Sequence, residues 1–153
     1  MRKVVFCLTA ALVLACSSCG NNKKIYPVSG KMTYNGSPAS GAVVFFHRQG
    51  GDTMKEPTIM GIVQEDGSFE LVCGPLGKGA PPGDYDVLVE WKRITGRGKR
   101  RPQAGPDILQ GRYADPKRPL LHATVEARAT NLPPFELPIA GAVLTGPNVR
   151  GRR

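Results

Sequence analysis

Short runs of alternating apolar and polar residues, each closed by a turn signal, recur along the middle of this sequence. Val28, Gly30, Met32 and Tyr34 alternate with Ser29, Lys31 and Thr33, and Asn35-Gly36 follows. A period of two sends successive side chains to opposite faces of a strand and does not build the single apolar stripe of a helix. Asn-Gly supplies the two positive-φ positions that a tight hairpin turn needs. Ala42 to His47 is a second strand, apolar on both faces and therefore central. Ile59 to Gln64 is a third, Asp66-Gly67 turns the chain, and Ser68 to Cys73 is the return strand. Gly74 to Gly83 reads as a glycine- and proline-rich loop. Tyr85, Val87, Val89 and Trp91 share one face of the fifth strand. Leu121, Ala123, Val125 and Ala127 share one face of the sixth, opposite His122. Asn131 to Pro138 is the last strand, with Phe135 and Leu137 inward and prolines that fit a sheet edge.

No stretch of useful length carries a helical period, although Pro106 to Arg112 offers one turn of helix. Glycine (19) and proline (14) make up about a fifth of the 153 residues, which also argues against a helical bundle. The predicted architecture is all-β: a seven-stranded antiparallel Greek-key β-sandwich over residues 25–138, large enough to fold alone. Between the fifth and sixth strands lies a connection from Lys92 to Pro119. It exceeds the roughly 12–15 residues beyond which loops are usually functional or disordered.

The formal charge is +9, from 21 basic and 12 acidic residues. All the acids lie between residues 25 and 138, where 14 basic residues leave a net of only +2. The folded part is thus nearly neutral, and a nucleic-acid partner is not expected. One dense basic cluster stands inside the long connection: Lys92, Arg93, Arg97, Lys99, Arg100 and Arg101. These six are the candidate anion-binding residues. The small, basic segment 139–153 is expected to be disordered.

At the N-terminus Arg2 and Lys3 precede an apolar stretch from Val4 to Ala15 interrupted only by Thr9. A basic start, a short apolar core and a small residue before a cut site describe an export signal, not a structural element. Val13-Leu14-Ala15-Cys16 resembles the lipobox of bacterial lipoproteins. Residues 1–15 are therefore read as a lipoprotein signal peptide, Cys16 as the lipidation site and 16–24 as a polar tether. Cys19 is a poorer anchor, because Cys16 would then occupy the first lipobox position. The implied location is the cell envelope, facing the periplasm or the exterior, with the membrane as partner through the N-terminal lipid. Of the four cysteines, Cys7 leaves with the signal and Cys16 is lipidated. Cys19 and Cys73 are too few for a disulfide framework. Cys73 shares the parity of Phe69 and Leu71 and is expected in the core.

The ordered set Val28-Ser29-Gly30-Lys31-Met32, Gly36-Ser37-Pro38, Gly41-Ala42-Val43-Val44-Phe45, Glu65-Asp66-Gly67-Ser68-Phe69 and Pro81-Pro82-Gly83-Asp84-Tyr85 resembles the carboxypeptidase regulatory-like, or transthyretin-like, superfamily. More closely, it is similar to short bacterial envelope lipoproteins of that type, which carry a late Gly-Arg-Tyr-Ala-Asp-Pro segment, here Gly111 to Pro116. The resemblance covers about residues 26–138. It implies the fold and no established reaction, because the shared residues specify turns and packing.

One branch of the superfamily hydrolyses 5-hydroxyisourate with histidines, an arginine and a Tyr-Arg-Gly-Ser tetrapeptide. That tetrapeptide is absent here, and strand parity puts His47 and His122 on outer faces, so a hydrolase is the disfavoured reading. Related modules form a Lys–Asn isopeptide bond beside a buried acid. Lys31, Asn131 and Glu90 have the right order but the wrong parity, and a solvated lysine stays protonated. Asp66, Asp84 and Asp86 lack calcium-loop spacing, and no Cys/His spacing suggests zinc. No catalytic residue, cofactor or metal is therefore expected. The expected role is a non-enzymatic binding or scaffolding module. Its partner is an envelope glycan or another envelope protein, met through the basic loop or, as a carbohydrate platform, through Trp91 and its neighbouring tyrosines.

Overall fold

The computed structural model describes residues 24–52, 55–95 and 103–138. Its strands are β1 (Val28–Tyr34), β2 (Ser37–Pro38), β3 (Val43–Arg48), β4 (Ile59–Ile62), β5 (Ser68–Glu70), β6 (Val72–Cys73), β7 (Gly77–Lys78), β8 (Gly83–Glu90), β9 (Lys92–Thr95), β10 (Gln103–Asp107), β11 (Leu121–Val125), β12 (Thr130–Asn131) and β13 (Phe135–Leu137). The only helical element among the described residues is a 3-10 turn over Gly74–Leu76. The chain is all-β, as the alternation required.

Six strands form one sheet in the order β11-β8-β3-β4-β6-β7, with every pairing antiparallel. β1 is the centre of a second sheet. It pairs antiparallel with β2 and β5 on one side and parallel with β12 and β13 on the other. The expectation of a purely antiparallel fold is thus corrected at one place. The first and last strands run side by side in the same direction, which is possible because the whole intervening chain serves as their connection. One apolar cluster lies between the sheets. Val28, Met32, Phe69, Phe135 and Leu137 come from the β1 sheet, and Val44, Phe46, Tyr85, Val87, Val89, Ala123 and Val125 from the other.

The return strand Ser68–Cys73 is one strand in sequence and two in space. β5 pairs with β1, whereas β6 pairs with β4, so the chain changes sheets at Leu71. Phe69, Leu71 and Cys73 all stay buried, since the parity survives the bend. Gly61 permits the crossing: a Cβ there would stand 2.7 Å from the carbonyl oxygen of Glu70. The hairpin at Asp66-Gly67 is therefore closed at its tip, where Gln64 N–H donates to Ser68 C=O at 2.7 Å, and again where β6 meets β4, and it is open between the two.

The long connection is also corrected. It is not a structureless loop, because β9 and β10 pair as a two-stranded ribbon outside both sheets. Its register shifts between Ala104 and Asp107, so Gly105-Pro106 forms the irregularity that lets proline sit in a strand. The ribbon carries no apolar alternation because neither of its faces packs on the core, so the periodicity signal had no physical cause there. Pro106 to Arg112 contributes the end of β10 and a chain of turns, not a turn of helix. The segment 74–83, expected as a loop, contains the 3-10 turn and β7, which returns on β6 and extends the sheet by one strand. Ala127 is exposed because β11 ends at Val125.

Candidate functional site

The chain leaves the six-stranded sheet at Trp91, which makes this corner the base of the ribbon. The half-buried Trp91 ring meets Tyr34 edge-on, with centroids 5.6 Å apart and planes at 78°. Its Nε1–H donates to the Ser40 carbonyl at 2.9 Å. Asp107 fastens the ribbon. Its Oδ1 accepts the backbone N–H groups of Trp91 at 2.9 Å and Leu109 at 3.2 Å, and its Oδ2 accepts Gly111 N–H at 2.7 Å. The Ile108 N–H closes the same corner by donating to Trp91 C=O at 2.7 Å. The following turn drops Leu109 and Tyr113 into the core, and Val89 N–H donates to Tyr113 C=O at 2.9 Å. The ribbon is therefore an arm with a rigid base.

Lys92, Arg93 and Ile94 of the arm are exposed. Lys92 Nζ lies 2.8 Å from Glu90 Oε2, and this bond holds the Lys92 ammonium above its ordinary pKa. Part of the charge counted in the sequence is thus met locally by Glu90. Arg97, Lys99, Arg100 and Arg101 lie outside the described residues, as do Cys16 and the whole of 139–153.

The outer face of the six-stranded sheet carries a polar row. His47 of β3 is in register with Asp86 of β8, and Asp86 with His122 of β11. His122 Nδ1 lies 2.9 Å from Asp86 Oδ1, and Gln49 Nε2 donates to the same oxygen at 2.7 Å. In the next row Thr124 Oγ1 donates to Asp84 Oδ1 at 2.6 Å. A carboxylate that orients an imidazole is half of a catalytic arrangement, but the neighbouring hydroxyl of Thr124 is turned to Asp84 rather than to the imidazole. His122 is exposed, as its parity predicted. Among the described residues no group of three His, Cys, Asp or Glu side chains is placed to hold a metal ion.

The remaining sequence candidates are dispersed. Asp66 serves its turn: its Oδ1 accepts the Ser68 N–H at 2.9 Å and the Ser68 hydroxyl at 2.6 Å, which holds the carboxyl below its usual pKa. Lys31 and Asn131 are both exposed, and Glu90 is taken by Lys92. Cys73 is buried, as expected. Trp91 is partly buried against the core, with its Nε1–H engaged by the Ser40 carbonyl.

Sequence reading missed Asp107 as the anchor of the arm and Asp86 as the partner of His122. Pro106-Asp107 was the available signal for the first, since Asp readily accepts backbone N–H groups in a turn. The second depends on cross-strand register, which no local pattern reveals. A scan against protein-family models finds no match, and neither the curated proteins nor the solved structures give one.

Proposed function

We propose that this chain is a non-enzymatic, lipid-anchored protein of the cell envelope. Cys16 carries the lipid, and the domain 25–138 is a seven-stranded Greek-key β-sandwich of the transthyretin-like kind that serves as a binding or scaffolding module. The seven principal strands in this reading are β1, β3, β4, the β5–β6 segment, β8, β11 and β13. Two sheets around one core and the adjacency of first and last strands support it.

The observation that carries the binding role is the arm. A short ribbon stands clear of both sheets and is tied at its base by three bonds to Asp107. It leads from the exposed Lys92 and Arg93 into the segment with Arg97, Lys99, Arg100 and Arg101. A stiff base with a cationic extension suits the anionic groups of an envelope glycan. It costs less ordering on binding than a free loop would.

Two measurements test the reading. Intact-mass analysis of the mature protein should show loss of residues 1–15 and added acyl mass on Cys16. A mature form that starts elsewhere without lipid removes the anchor. Neutralising Arg97, Lys99, Arg100 and Arg101 together should abolish retention on anionic envelope material, and wild-type retention should fall with salt as the Debye length shrinks to about 8 Å at 0.15 M. Equal losses from neutralising the basic residues of 16–24 and 139–153 would show that net charge, not the arm, governs binding.

A further inference from the structure

We draw no further inference here: the strongest candidate, the apolar outer face of the six-stranded sheet where Phe45, Met60, Ile62 and Val72 adjoin the groove between β4 and β5, carries nothing because nothing in the structure shows what covers it.

Discussion

The Oδ1 atom of Asp107 accepts the backbone N–H of Trp91 at 2.9 Å, across 16 positions of sequence. This bond joins the end of β10 to the start of β9, and the same carboxylate also holds Leu109 and Gly111. Asp107→Ala strands three amides at once. It should lower stability by about 1–3 kcal/mol, read as a drop in urea midpoint, since hydrogen bonds to charged groups are worth about that much. Hydrogen exchange at Leu109 and Gly111 should accelerate. An unchanged midpoint would mean that water replaces the carboxylate without loss.

Two buried tyrosines make a matched pair. Tyr85 OH donates to the Pro81 carbonyl at 2.7 Å, while Tyr113 OH has no hydrogen-bond partner among the described residues. Burial raises the pKa of both phenols. Tyr85→Phe should cost about 1 kcal/mol and leave the Pro81 carbonyl unmet. Tyr113→Phe should leave stability unchanged or raise it, because a buried orphan hydroxyl carries a desolvation penalty. Thermal melts should therefore show a lower midpoint for Tyr85→Phe and no lowering for Tyr113→Phe.

Val87 is buried between the sheets. Val87→Asp should abolish folding, since an unpaired charge there costs several kcal/mol or forces its own neutralisation. Circular dichroism should report loss of the sheet signal.

Asp66 gives a pH signature. Its carboxyl is held below its usual pKa by the Ser68 bonds, so the folded state binds its proton less readily than the unfolded chain. Stability from this residue is present above about pH 4 and is lost as pH falls through the lowered folded value. Asp66→Asn, which does not titrate, should flatten the acid limb of the stability curve. An identical acid limb would detach Asp66 from the fold's acid sensitivity.

Strand parity made much of the core legible. Val28, Met32, Tyr85, Val87 and Val89 are buried as their alternation required, because one face of each strand had to meet the other sheet. What stayed hidden lacks a periodic cause. The β9–β10 arm packs on nothing that would impose alternation, and the change of sheet at Leu71 preserves parity and so leaves no trace in it. The double-sided apolarity of Phe45 and its neighbours was visible. It located β3 correctly at the centre of its sheet, but it could not say that the second face has no covering element among the described residues. Cys16 and four of the six basic candidates are legible only as sequence, since they lie outside the described residues.

The parallel ladder between β1 and the final strands also sets an order of events. Ser29 and Asn131 are partners 102 positions apart, so the strand made first must wait for the strand made last. Until Thr130 emerges, β1 has only the short antiparallel strands β2 and β5 beside it. Closing so long a span is entropically costly, and folds dominated by such pairs form slowly. The sheet around β1 is consequently open along one edge until residues 130–137 have been made, and throughout that interval the edge can be taken by another strand.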